Sequence, residues 1–317
     1  MTPADVIGAL VDAIATGLPY AVGYLGIWVV FRVMRDFDLT VDGSFVTGAS
    51  IAALWITSGL DPWLALLLAF AGGGAAGLIT FALHRWLRLP LILASIVVGV
   101  GLFSVNLKIL GSPNVNLIGQ STITTTFTGA FGATPYDRGF TILLFSLVFL
   151  LVGGLLVLFL SSQAGLALRA TGINAQMARA QGVDTARAMA LALLIGNGLV
   201  GLSGGLVAQS QGYSDVNMGV GSILFGVTSI LLGEVLLRRQ TPLWGVLAVL
   251  LGTIGYRFLL ALALRVGIDP DLYQGLTALI VVAAVGISLI GRTSRSRLLG
   301  MLPGQRRTLD TKAGSRA

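Results

Sequence analysis

The stretch RATGINAQMARAQGVDTAR, residues Arg169–Arg187, is a polar island between two long apolar segments. Asn174 can cap a short helix, because its side-chain oxygen accepts hydrogen bonds from the first free backbone N–H groups. Gly182 can end that helix in the left-handed conformation, and Asp184 can cap the apolar helix that follows. The pattern predicts a rigid helix of about two turns that faces water and that another protein can grip.

The composition indicates a membrane protein. The 317 residues are 55% hydrophobic and 10% charged, whereas soluble domains average about 25% charged residues. The chain has no cysteine, so neither disulfides nor thiol chemistry are available. No cleavable signal peptide is expected, because the N-terminus lacks a basic region. We therefore predict an all-α, polytopic membrane helix bundle.

Nine apolar stretches are long enough to span a bilayer. They lie at about 14–31, 43–58, 63–83, 89–110, 139–160, 188–209, 218–236, 243–264 and 272–291. If each stretch crosses once, sixteen of the twenty Lys and Arg residues fall on one side. The positive-inside rule then predicts an outside N-terminus, a cytoplasmic C-terminus and a cytoplasmic island. The net charge of +7 is explained by this topology and by contact with anionic lipid, and we expect no nucleic-acid partner.

We divide the chain into three parts. Residues 1–13 form an N-terminal segment that is either a short interfacial helix or the frayed start of the first span. Residues 14–291 form the transmembrane domain, with a cytoplasmic loop at about 165–187. Residues 292–317 form a basic cytoplasmic tail.

The chain contains a weak internal repeat. Residues Gly43–Ser50 (GSFVTGAS) are similar to Gly221–Thr228 (GSILFGVT), and an aspartate precedes each copy. The predicted topology runs the two copies in opposite directions, as in the inverted repeats of transporters. Chance similarity of two small-residue helices is the alternative interpretation.

Several segments resemble permease subunits of bacterial ABC importers of the branched-chain amino acid and ribose class. DLTVDGSFVTGA (Asp38–Ala49) matches one of their segments, and Gly172–Asp184 resembles their cytoplasmic coupling loop. The similarity continues through Asn197–Leu206, Gln209, Asp215, Gly219, Gly221 and Gly233–Glu234. Within that class the chain looks most similar to tryptophan/tyrosine-type permeases, on the basis of Asp38–Phe45, Ser104–Gly111 with Asn114, and Gln211–Gly221.

The resemblance implies a transporter subunit that is not itself an enzyme. The chain has no GxxxxGK[ST] loop, and its only lysines are Lys108 and Lys312. ATP would be bound by a separate subunit, so the chain would need no cofactor of its own. The residues expected to couple to that subunit are Gly172, Asn174, Ala175, Gln176, Met177, Ala178, Arg179, Gly182 and Asp184.

The resemblance also implies import of a small solute, such as an amino acid or aromatic compound, across the bacterial plasma (inner) membrane. The expected partners are a periplasmic or lipid-anchored substrate-binding protein and a second copy of the chain. For docking of the binding protein, Arg138 and Arg265 are candidate charges; solvated loop charges are the alternative. The loop from Gly111 to Arg138 could be a lid, a re-entrant hairpin or a docking face.

Polar residues within or beside the apolar stretches could line a translocation path. The candidates are Asp38, Asp42, Ser44, Asn106, Asp215, Asn217 and Ser222. Hydrogen bonding that fixes the bundle is the alternative, and we favour it for Asn197. Arg257 lies inside an apolar stretch, and we predict that it pairs with Asp215.

Two other functional classes compete with the ATP-driven permease. An ion-coupled secondary transporter should carry carboxylates at mid-membrane, and the predicted spans contain few. A membrane-embedded enzyme would need a nucleophile, a base or a metal site. His84 is the only histidine, so we expect no metal site and interpret His84 as an interfacial residue.

Overall fold

The computed structural model describes residues 3–132, 134, 137–237, 241–267, 272, 275–280 and 282. These residues form a helix bundle with one small antiparallel strand pair. The helices are α1 Pro3–Trp28, α2 Thr40–Thr57, α3 Pro62–Trp86, α4 Leu91–Leu110, α5 Ile123–Ala130, α6 Arg138–Ser161, α7 Gln163–Ile173, α8 Ala175–Ala180, α9 Thr185–Gln211, α10 Ser222–Leu236 and α11 Pro242–Arg265. Strands β1 Asn114–Asn116 and β2 Tyr213–Asp215 pair with each other, and α1 continues into a π-helical turn, Val29–Met34.

Six of the described helices are long and apolar enough to cross a membrane. They are α1 with its π-helical turn, α3, α4, α6, α9 and α11. Each of the first eight predicted stretches overlaps one helix. Two of these helices, α2 and α10, are not among the six that are long and apolar enough to cross a membrane. Most of the ninth stretch, 272–291, and the whole tail lie outside the described residues. Nine crossings and their orientation therefore stay predictions.

The bundle has two ends, which we name after the elements found there. At the α8 end, Trp28 of α1 packs against Gly245 of α11, near α7 and α8. At the β end, the side chain of Gln209 of α9 donates to Pro62 O and accepts from the N–H of Ile123, at 3.2 and 2.9 Å. The loop from 111 to 138 is thus folded onto the bundle through β1 and α5.

Helix α9 is central and packs against α1, α2 and α3. Glycines allow this close packing, as small residues do in membrane bundles. A Cβ on Gly204 would lie 1.9 Å from the carbonyl oxygen of Phe45, and one on Gly201 would lie 2.5 Å from that of Ala69. The backbones of α2 and α3 therefore touch α9 directly.

Helices α2 and α10 begin inside the bundle. Ser44 of α2 bonds to Asn197 near the middle of α9, and Asp42 bonds to Ser222 at the start of α10. From this point α2 runs to the β end, where Ile56 packs with Leu117. Helix α10 runs the other way, because its Glu234 reaches Arg32 at the α8 end. The two similar sequences thus open two discontinuous helices of opposite direction, as an inverted repeat predicts.

The N-terminal segment is continuous with the first long helix. Helix α1 begins at Pro3 and includes Pro19 without ending there. No break separates residues 3–13 from the rest of α1. Whether these first turns lie at a membrane interface stays a prediction.

Candidate coupling segment and transport path

The predicted coupling segment, residues 172–184, runs from the end of α7 through α8 to the cap of α9, and we call it the α8 segment. It is closed by local caps. Asn174 Oδ1 accepts from the N–H of Met177 at 3.0 Å, so the cap at the start of α8 is confirmed. Gly182 adopts φ +82° after α8, as expected. Asp184 Oδ1 accepts from the N–H groups of Ala186 and Arg187 at the start of α9. These bonds, the strongest from Arg187, hold the pKa of the Asp184 carboxyl below its ordinary value.

Most side chains of this segment are free to meet a partner, but one is not. Ile173 and Met177 are 70% and 64% exposed, although both are large and apolar. The other exposed candidates of the coupling set are Asn174, Gln176, Arg179, Gly182 and Asp184. Ala178 is only 4% exposed, so its place among the contacting residues is a correction: it packs inward. Ala175 and Gly172 are half-buried.

Gly172 joins the segment to the first membrane helix. A Cβ at this position would lie 2.0 Å from the carbonyl oxygen of Val33, in the π-helical turn of α1. The N–H of Asp36 closes this turn onto Val30 O at 3.1 Å, and Arg35 takes φ +61°. Only glycine permits such a contact, so α7 packs directly against the end of α1.

A cavity of about 210 Å³ lies beside the segment at the α8 end. Arg85 and Arg179 line it together with His84 and Asp36. Burial raises the pKa of the Asp36 carboxyl above its ordinary value. The ring of His84 contacts the carbonyl oxygen of Leu89 at 2.7 Å, and its interfacial position stays a prediction.

The first group of path candidates forms a joint between α2 and α10. Asp42 Oδ1 accepts from the hydroxyl of Ser222 at 2.7 Å and from the N–H of Ile223 at 3.0 Å. Its other oxygen accepts from the N–H of Gly221 at 3.2 Å. Asp42 therefore caps a helix about 180 residues further along the chain, and its negative charge meets the positive end of the α10 dipole.

A second polar cluster lies one turn from this joint. Asn197 Nδ2 donates to Asp38 at 2.6 Å, and Asn197 Oδ1 accepts from Ser44 at 2.7 Å. Asp38 also accepts from the N–H of Thr40. All of these side chains are buried, so the prediction that Asn197 fixes the bundle by hydrogen bonding is confirmed. Nearby, Asn106 donates to Gly43 O at 3.2 Å.

The remaining path candidates lie elsewhere. Asp215 is on β2 at the β end, where it accepts from the side chain of Asn114 at 3.1 Å. Asn217 is exposed, and its N–H donates to Asp215. The structure thus brings Asp38, Asp42, Ser44, Asn106 and Ser222 together around the start of α2 and separates Asp215 and Asn217 from them.

The predicted pair between Arg257 and Asp215 is wrong. The guanidinium carbon of Arg257 lies 3.9 Å from the ring centroid of Tyr20 instead. Asp215 bonds to Asn114 because the strand pair holds it at the β end. Tyr20 was missed, because a cation–π contact between residues so far apart has no sequence signal.

The two predicted docking arginines are both bound within the chain. Arg138 and Arg265 each lie 3.0 Å from the carboxylate of Asp12, on its two different oxygens. They are therefore not free charges, and their docking role stays a prediction. The Arg138 side chain is 69% exposed and can still meet a partner. Across the described residues, no group of three or more His, Cys, Asp or Glu could hold a metal ion.

The sequence is similar to a known protein family and to two known proteins. The sequence model of the branched-chain amino acid transport system/permease component family matches residues 9–285. The chain is 31% identical over 275 residues to the tyrosine transport system permease protein of Clostridioides difficile (strain R20291), covering 86% of this chain and 89% of that one. It is 31% identical over 250 residues to an uncharacterized protein of Rickettsia prowazekii (strain Madrid E), covering 78% and 85%.

A solved structure is similar at 17% identity, with a TM-score of 0.48 and coverage of 89% of this chain and 85% of the other. It is described as an inward-facing conformation of a metal-chelate type ABC transporter. The family match extends from α1 beyond α11, and thus includes both the α8 segment and the joint between α2 and α10. This chain belongs to the family of permease components of branched-chain amino acid transport systems, and is a membrane subunit of the ABC transporter class that catalyses no reaction itself.

Proposed function

We propose that the chain is the membrane-spanning permease of an ATP-driven importer for a small amino acid or aromatic solute. It works in the bacterial plasma membrane with a separate ATP-binding subunit on its cytoplasmic side. The relative named as a tyrosine transport permease supports this substrate class. The observation that carries the proposal is the α8 segment, which is locally capped and exposes two large apolar side chains.

The α8 segment is suited to transmit force. Exposed Ile173 and Met177 offer an apolar contact that a groove of the ATP-binding subunit can enclose. The cap at Asn174 holds the start of α8, and Asp184 caps the start of α9 directly after it, so a push on α8 moves the segment as one body. ATP binding closes the partner subunits, and α8 follows them.

The contacts of Gly172 provide a route into the membrane. Movement of α7 acts on the π-helical turn of α1, which leads directly into the loop that carries Asp38. From there α2 begins, and its Asp42 holds the start of α10. Alternating access then consists of a shift at the joint between α2 and α10, driven from the α8 end.

Two further parts complete the proposed assembly. A second copy of the chain forms the path together with the first, since ABC permeases work as symmetric pairs in this scheme. A substrate-binding protein docks at the β end, where exposed Arg138 can meet acidic side chains. We therefore expect a complex of two permeases, two ATP-binding subunits and one binding protein.

The test is purification of the tagged chain from its native cell in a mild detergent, followed by reconstitution with the subunits that co-purify. An ATP-binding subunit at one copy per permease is expected, with uptake that requires ATP. Met177→Asp should abolish ATP-dependent uptake while leaving the amount of folded permease unchanged, because Met177 is 64% exposed.

A matched control is Leu166→Asp on α7, which is exposed but lies outside the capped segment. It should retain uptake. Uptake that follows an ion gradient without any ATP-binding subunit would instead support the secondary transporter. Unchanged uptake in the Met177→Asp variant would contradict the coupling role.

A further inference from the structure

Arg257 is a cation inside the bundle with an unusual environment. It lies two turns before Arg265, the α11 residue that pairs with Asp12 at the β end. Along the axis of α11, Arg257 therefore lies about 12 Å from the ion pair between Arg265 and Asp12. Its Nε is buried and has no hydrogen-bond partner among the described residues. A cation with no carboxylate partner among the described residues is costly at this depth, so such residues usually serve a function.

The surroundings of Arg257 are aromatic and hold no counter-ion within the described ranges. The groups that interact with it electrostatically there are Tyr20, Tyr24 and Tyr256. None of the salt bridges among the described residues includes Arg257. The Tyr20 ring stabilises the cation from one side, with the guanidinium carbon 3.9 Å from the ring centroid.

Tyr20 is also the centre of a partly open aromatic surface. Its ring stacks on Phe45 of α2 at 5.8 Å between centroids, and its hydroxyl accepts from the side chain of Gln211 at 3.2 Å. Tyr213 is 41% exposed and close enough to Tyr20 to interact electrostatically. Arg257 and Tyr20 are themselves only half-buried, so part of each residue is left accessible by the described chain.

We propose that Arg257, held against Tyr20, binds the carboxylate of the transported solute, while Tyr20 and Tyr213 contact its planar apolar part. A guanidinium presents two parallel N–H donors that match a carboxylate. We place the site in the β-end half of the path, beside the joint between α2 and α10. The reason is that the Tyr20 ring stacks on Phe45, near the start of α2. This inference rests on the proposed transport function and assigns it a specificity-determining residue.

The competing explanation is an internal ion pair. Asp269 and Asp271 follow α11 in the sequence and lie outside the described residues. An internal pair and a solute-binding cation differ in a measurable way. Removing Arg257 from an internal pair would leave a buried carboxylate and destabilise the fold, whereas removing a solute-binding cation would not.

The test uses benzoate, a planar carboxylate, and benzamide, its neutral counterpart of similar shape. Thermal unfolding of the purified full chain in detergent is followed with each probe, for the native chain, Arg257→Gln, Arg257→Lys and Asp269→Asn/Asp271→Asn. Benzoate well above its Kd should raise the midpoint by about 3 °C more than benzamide in the native chain. This difference should vanish in Arg257→Gln, fall in Arg257→Lys and persist in the aspartate variant.

Equal effects of the two probes on the native chain, including no effect, would overturn the proposal. So would a benzoate effect that survives in Arg257→Gln, or one that is undiminished in Arg257→Lys if Arg257→Gln does not fold. A strong loss of stability in Arg257→Gln that the aspartate substitutions restore would establish the internal pair. Because these measurements need neither ATP nor uptake, their failure is distinguishable from failure of the proposed transport function.

Discussion

The α8 segment and the joint between α2 and α10 satisfy their polar groups in opposite ways. In the α8 segment, Asn174 and Asp184 bond to backbone groups two or three residues away. In the joint, Asp42 bonds to groups about 180 residues away, and Asn197 bonds to Asp38 at a separation of 159 residues. The first region can move as a unit and keep its bonds, whereas the second changes its bonds whenever the helices move.

This difference suits the two proposed tasks. A coupling element must keep its shape while the partner subunit pulls it, so local caps are sufficient and exposure is required. A gate must have two arrangements of similar free energy, and long-range hydrogen bonds between helix ends can provide them. Four predictions test whether the two regions behave so differently, from the largest expected effect to the smallest.

The largest effect is expected where α2 meets α9. Gly48→Ala places a Cβ 1.9 Å from the carbonyl oxygen of Gly201, so the two backbones must separate. We expect a loss of about 3 kcal/mol or more in the free energy of unfolding. Gly101→Ala on α4 is the matched control, because no atom lies within 4 Å of its added Cβ. The yield of monodisperse protein and its unfolding midpoint measure both variants, and equal behaviour would contradict the close packing.

The next effect concerns the buried cluster. Asn197→Leu removes the donor to Asp38 and the acceptor for Ser44, leaving both buried without these partners. We expect a cost of about 2 kcal/mol, measured by thermal unfolding. Asn106→Leu is the control, since Asn106 makes one long hydrogen bond to Gly43 O and its Oδ1 has no partner in the described residues, so its loss should cost clearly less. If Asn106→Leu destabilises as much, the cluster has no special role.

A smaller effect on stability, but a large one on transport, is expected at Asp42. Asp42→Ala removes the cap of α10 and should cost about 1 kcal/mol. Asp61→Ala removes a local cap at the start of α3 and should cost about the same. Uptake in proteoliposomes should fall strongly for Asp42→Ala and stay near the native rate for Asp61→Ala. Equal uptake by the two variants would show that the joint takes no part in gating.

The smallest effect is expected at the β-end surface. Arg138→Gln breaks an ion pair to Asp12 in which the arginine side chain is 69% exposed. Exposed pairs contribute less than about 1 kcal/mol, so thermal stability should hardly change. The rate of uptake stimulated by the binding protein should fall, and more so at low ionic strength. Stimulation that is unchanged at every salt concentration would remove Arg138 from the docking surface.

The same contrast explains what the sequence could predict. The caps at Asn174 and Asp184 and the left-handed Gly182 follow from residues a few positions apart, and all were found. The membrane class and most helices follow from apolar runs. The repeat around Gly43 and Gly221 indicated an inverted arrangement but not where the helices start. Neighbouring residues cannot show that α2 and α10 begin inside the bundle.

The errors have a common physical cause. Arg257 was paired with Asp215 from depth alone, yet an aromatic ring can hold a cation as well as a carboxylate can. The ion pairs of Arg138 and Arg265 were missed, because nothing local marks Asp12 as their shared partner. Ala178 was placed on the contact surface, although a six-residue helix buries one face. Each case depends on contacts between distant parts of the chain.

The account depends most on α8 as the contact with an ATP-binding subunit. Because the chain has no cysteine, single-cysteine variants report one position cleanly. Met177→Cys and Ser121→Cys, an exposed position near α5 at the β end, should be treated with a short cysteine-to-amine cross-linker in native membranes. We predict a cross-linked ATP-binding subunit from Met177→Cys, with a yield that changes on adding ATP, and none from Ser121→Cys. A Met177→Cys variant that reacts with soluble thiol reagents yet never cross-links to such a subunit would contradict the account.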